Sequence, residues 1–125
     1  MRPFTNRGLV MNDRPHLDEE ALAELQDVMD EEFDVLIHTY LSDSAERISS
    51  LRSALDEGDA DALSRTAHSF KGSCINIGAP RLGALCMEVE EAGRASRLSA
   101  LEPLLASIES EFRQVRQGLE RFLAD

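Results

Sequence analysis

The stretch FDVLIHTYLSDSAERISSLRSALDEGDADALSRTAHSFKGSCINIGAP, residues 33–80, decides the fold. Its first half sets Phe33, Ile37, Tyr40, Ser44, Ile48, Leu51 and Leu55 at steps of three and four, the spacing of one face of an α-helix. Glu57-Gly58 stops that helix. Asp59 opens the next, which carries Leu63, Ala67, Phe70, Cys74 and Ile77 inward and ends at Gly78. Two amphipathic helices joined by so short a break fold back on each other, with their apolar stripes shared.

The pattern continues on both sides. Pro80 suits the first turn of a further helix with Leu82, Leu85, Cys86 and Val89 facing inward. Another runs from about Leu101 through Leu104, Leu105, Ile108, Phe112, Val115, Leu119 and Phe122. Upstream, Asp18 is expected to cap a short helix carrying Leu22, Leu25 and Met29. Asp30 is expected to cap the helix over 33–57, with Glu31 and Glu32 at the positive end of its dipole. No run alternates with period two for long enough to argue a strand. The expected fold is all-α, an antiparallel up-down four-helix bundle with a short additional N-terminal helix packed across one end. Residues 1–16 mix Pro, Gly, Asn and Arg without periodicity and read as a loose N-terminal tail, leaving 17–125 as the domain.

Composition narrows the function. The 125 residues suffice for one domain with a real core. Thirteen basic against 24 acidic residues give a net charge of -11, which repels nucleic-acid backbones and anionic membranes as partners. No apolar run could span a bilayer or serve as a signal peptide, so a cytoplasmic monomer is expected. Cys74 and Cys86 are twelve apart, both on apolar stripes, and read as reduced core thiols. With His16, His38 and His68 scattered, no metal-ligand spacing exists and no metal site is expected.

Chemistry concentrates on the helix over 60–77. At about 100° per residue, its apolar residues cluster roughly 140° away from His68. The imidazole is therefore expected to point outward, sharing its face with Asp61, Ser64, Arg65, Lys71, Gly72 and Ile75. Gly72 lies one turn on from His68, in mid-helix, where glycine costs about 1 kcal/mol relative to alanine. A missing side chain there clears a path to the imidazole for a bulky partner. Lys71, the only lysine beside twelve arginines, stands three residues from His68, across one turn. An ammonium there favours an uncharged ring with a nitrogen free to attack, and can pair with phosphoryl oxygens after transfer. Ile75, apolar on this outward face, suggests part of a partner contact ringed by polar residues. His38, in contrast, reads as an ordinary solvated side chain.

The run AHSFKGSCINIGA, residues 67–79, resembles the signature of histidine-containing phosphotransfer domains. That signature is a histidine, an apolar residue at the second position after it, Lys-Gly next, and Gly-Ala some ten residues on. Here these are His68, Phe70, Lys71-Gly72 and Gly78-Ala79. The resemblance extends from about 17 to 124 through Leu22 and Leu25, the Phe33 helix start and the spacing of Cys86 to Glu90. It implies a four-helix bundle whose exposed His68 accepts a phosphoryl group from a receiver-domain aspartate and passes it to another. It implies receiver domains of hybrid sensor kinases and response regulators as partners. Magnesium would belong to the receiver's acidic pocket, so the chain would need no cofactor. Lys71 and Gly72 carry over as assisting cation and access residue, and Arg94 falls where some members place a second phosphate-facing cation.

Two other readings compete. Histidine-acceptor segments of sensor kinases place an acidic residue after the histidine, whereas Ser69 stands here, and no glycine-rich nucleotide site exists for autokinase activity. A non-catalytic helical interaction module with an inert surface histidine explains the bundle but leaves Lys71 and Gly72 without a purpose.

Overall fold

The computed structural model describes residues 14–124. Five α-helices follow in order: α1 (Glu19–Met29), α2 (Phe33–Glu57), α3 (Ala60–Ile77), α4 (Pro80–Arg94) and α5 (Leu101–Ala124). Single 3₁₀ turns at Asp30–Glu32 and Leu98–Ala100 lead into α2 and α5. Asp18 caps α1 by accepting from the Ala21 amide at 3.1 Å, and Asp59 caps α3 by accepting from Ala62 at 3.0 Å. Gly58 and Gly78 end α2 and α3 in the left-handed region, at φ 68° and 89°. Asp30 departs from expectation. It is the C-cap of α1 at φ 54°, and its side chain caps nothing, because the 3₁₀ turn supplies the entry to α2.

α2 to α5 run up and down around one core, into which every apolar stripe read from the sequence projects. Phe33 meets Phe122 at 5.8 Å between ring centroids, so the start of α2 and the end of α5 share one end of the bundle. α1 crosses that end. Its Leu22 is fully buried, and the Asp18 amide donates to Gly78 O at 2.8 Å in the α3–α4 corner. Cys74 and Cys86 are free and fully buried, with the Tyr40 hydroxyl 3.3 Å from Cys74 Sγ. A hydrogen bond to Cys74 and burial push the Cys86 thiol above its ordinary value, so it stays protonated and unreactive.

Of the tail expected over 1–16, residues 1–13 lie outside the described residues. Residues 14–16 lie against the bundle: Arg14 O accepts from Arg81 Nε at 2.7 Å, and His16 Nδ1 is 2.6 Å from Glu111 Oε2. Glu111 is buried on α5, a carboxylate that needs such a partner.

α3 and α4 approach most closely, and this sets the site. A Cβ added to Gly93 would stand 3.0 Å from Ala60 O and from Ser64 N, both backbone atoms of α3. A Cβ added to Gly72 would meet nothing within 4 Å. The two glycines therefore respond oppositely to alanine. Gly93→Ala is expected to push the helices apart and cost about 1–3 kcal/mol. Gly72→Ala is expected to gain up to about 1 kcal/mol. Urea midpoints of the two variants measure both signs.

Candidate functional site

His68 sits midway along α3 because its neighbours Ala67 and Phe70 take the core and leave the opposite arc to solvent. Its side chain is 65% exposed, while Nδ1 lies 2.9 Å from Glu90 Oε2 on α4. Lys71 Nζ donates to Glu90 Oε1 at 3.0 Å, and Arg94 Nη2 donates to Oε2 at 2.7 Å. One carboxylate, only 3% exposed, thus collects an imidazole, an ammonium and a guanidinium. Burial alone would raise the Glu90 carboxyl. The hydrogen bonds from Lys71 and His68 and the charges of Lys71 and Arg94 outweigh it and hold the group below its ordinary value.

The ionised carboxylate fixes the ring. It can only accept, so Nδ1 carries the proton and donates. In the uncharged imidazole the Nε2 lone pair is then the available one. A shallow depression of about 390 Å³ opens beside the ring, lined by Asp61, Ser64, Arg65, His68, Glu90 and Arg94.

The residues singled out in the sequence fall in different places. Lys71 is tied to Glu90 and so reaches the ring through that carboxylate. Gly72 is exposed and open. Arg65 pairs with Asp61 at 2.9 Å on the surface, where such a pair contributes little. Ile75 is 63% exposed. Arg94 joins the cluster. Ser64 does not lie on an open face. It is buried, because α4 passes over it at Gly93. Glu90 is the residue sequence reasoning left without a role. Its signal was present: of three carboxylates around Val89, Glu90 is the one a single turn past Cys86, toward the buried side of α4. His38 is exposed. Among the described residues, no three His, Cys, Asp or Glu side chains are grouped to hold a metal, and no helix is long and apolar enough to cross a membrane.

Fold and site together define a helical bundle that presents one oriented, solvent-facing imidazole. Comparison with known proteins makes this specific. The family model of the Hpt domain matches residues 35–124. Histidine-containing phosphotransfer protein 4 of Arabidopsis thaliana is 32% identical over 124 residues, covering 95% of this chain and 96% of that one. The crystal structure of histidine-containing phosphotransfer protein B from Pseudomonas aeruginosa PAO1 superposes with a TM-score of 0.83 at 47% identity, over 86% of this chain and 93% of that one. The maize protein ZmHP2 shares the fold, with a TM-score of 0.78 at 23% identity over 87% and 90% of the two chains. The chain belongs to the histidine-containing phosphotransfer domain family, and its role is histidine phosphotransfer in a two-component phosphorelay.

Glu90→Gln keeps the shape and removes the charge. Its three donors are lost or weakened, which is expected to cost about 1–2 kcal/mol at neutral pH. Because folding lowers the Glu90 pKa, the unfolded chain binds more protons around and below pH 4.5. Stability from this group is complete above that range and disappears as pH falls through the folded value. The gap between wild type and Glu90→Gln should therefore narrow as pH falls below 4.5 in urea titrations. Glu109, lowered chiefly by its hydrogen bonds from Arg52, is common to both proteins and cancels.

Proposed function

We propose that His68 accepts the phosphoryl group from a receiver-domain aspartate and returns it to the aspartate of a second receiver. The observation that carries this reading is the hydrogen bond from Nδ1 to the buried Glu90, with the rest of the ring exposed. The Nε2 lone pair attacks phosphorus, a nitrogen–phosphorus bond forms, and the bond to the aspartyl oxygen breaks, freeing the receiver's carboxylate. The ring becomes cationic as the bond forms, and Glu90, already ionised and within hydrogen-bond distance, offsets that charge. Running the steps backward delivers the group to the next carboxylate. Positioning and electrostatics suffice for such a transfer.

Lys71 and Arg94 keep Glu90 ionised and have further N–H donors for the phosphoryl oxygens. Gly72 leaves open space one turn from His68 for the partner's active-site loops. In this reading magnesium belongs to the receiver, and the chain works with side chains alone, as a phosphocarrier without ATP binding. An inert interaction module gives no reason to set two cations and an open glycine beside an exposed histidine and the buried carboxylate that holds it.

Incubation with phosphorylated receivers should place an acid-labile label on the wild-type chain. His68→Gln should keep its helicity and melting temperature nearly unchanged and take no label; label retained on that variant would assign the acceptor elsewhere. Gly72→Gln, pointing into open space, should fold normally and slow the transfer, more so than Gly72→Ala. Equal rates for all three proteins would remove access as the purpose of Gly72.

A further inference from the structure

The Ser69 side of His68 holds a further cation, beyond Lys71 and Arg94. Arg47 of α2 donates from Nη2 to Ser69 Oγ, the residue after His68, at 3.0 Å. That is its one hydrogen bond, and it forms no ion pair among the described residues, although it is half-buried. The omission is pointed in a chain with 24 acidic residues. Asp43 stands one turn earlier on α2 and lines the same groove, where an i, i+4 pair would neutralise both charges at little cost. The guanidinium instead spends one of its five donors on a neutral hydroxyl of α3 and leaves the others available.

The groove it borders runs between α1, α2 and α3 and encloses about 610 Å³. Leu25, Met29 and Leu36 contribute apolar lining; Ser69 and Gly72, close in the chain to His68, line it as well, with Arg47 in contact with Ser69. Ser69 follows His68 directly and Gly72 lies one turn on, so Arg47 reaches the stretch of α3 that flanks the histidine.

Resting on the receiver reading above, we propose that Arg47 is a specificity-determining contact for the partner: when a receiver covers His68, its guanidinium pairs with a carboxylate on the rim of the receiver's acidic pocket. A partner that holds an aspartyl phosphate with a divalent cation must gather carboxylates, and their charge is opposite to that of Arg47. The chain as a whole, at a net charge of -11, repels such a surface. A cation fixed beside the acceptor therefore orients the approach and selects among receivers by where their carboxylates lie.

The test uses the full chain with Arg47→Ala, Arg47→Glu and Arg47→Lys, titrating one phosphorylated receiver and following label on His68. Arg47→Glu is expected to raise the half-saturating receiver concentration roughly tenfold, with the effect on concentration and not on the maximal rate. Arg47→Lys should recover most of the loss, and the wild-type advantage should shrink as salt is raised. Circular dichroism melts of the variants should overlay that of the wild type, and an Arg47→Glu chain that melts early is replaced in the comparison by Arg47→Ala. The lifetime of the phosphorylated chain, isolated from receiver, should be the same in all four proteins. A changed lifetime would place Arg47 on the phosphoryl group and overturn the proposal. So would an unchanged half-saturating concentration in a set whose wild type is labelled. A wild type that takes no label from any receiver overturns the receiver reading, and this inference with it.

Discussion

A carboxylate taken out of water is the constraint on which the site depends. Burying an ionised Glu90 costs several kcal/mol unless donors replace its hydration, and a cation at each oxygen is the means by which this chain does so. Those cations come from two helices, Lys71 from α3 and Arg94 from α4, so the charge cluster and the α3–α4 packing are one problem. Gly93 lets the α4 backbone rest on Ala60 and Ser64 of α3. One turn before that close approach Glu90 reaches across to His68. A wider spacing would leave the carboxylate short of the ring, and the ring free to rotate.

The histidine itself is spared any structural duty. α3 commits Leu63, Ala67, Phe70, Cys74 and Ile77 to the core, each fully or almost fully buried, and this burial holds the helix in place. His68 then contributes one hydrogen bond and is otherwise solvated. Separating the two roles on opposite arcs of one helix gives the imidazole a fixed orientation without making the fold depend on its protonation or on what it carries. The same division explains how a mid-helix glycine is tolerated at Gly72: the helix is secured by its other face.

The bundle was legible because apolar periodicity reports burial directly, and four long stripes with short breaks admit few arrangements. Asp30 was misassigned as a cap since an acidic residue ahead of a helix looks alike in both roles, and only the 3₁₀ turn distinguishes them. Ser64 was misplaced for a different reason. A helical wheel has one core direction, whereas α3 is flanked by both α2 and α4, so its buried arc is wider than its apolar stripe. Glu90 and Arg47 act across helices, and no spacing within one helix encodes which residue of another lies opposite. The former left two traces, a carboxylate at the edge of an apolar stripe and its spacing from Cys86; for the latter the sequence held no trace.

The arrangement also bears on reversibility, which a relay requires of its carrier. A cation held in reserve for the phosphoryl group alone would stabilise phosphohistidine strongly and slow its onward transfer. Lys71 and Arg94 are already engaged by Glu90 before any phosphoryl group arrives. Each spends one donor on Glu90, out of three on an ammonium and five on a guanidinium, so each can be shared. Their positive charge, however, is divided between Glu90 and the newcomer. On the proposed reading the phosphorylated state is therefore stabilised only in part, by the margin that shared cations allow, and the same carboxylate that orients the nucleophile moderates how tightly its product is held.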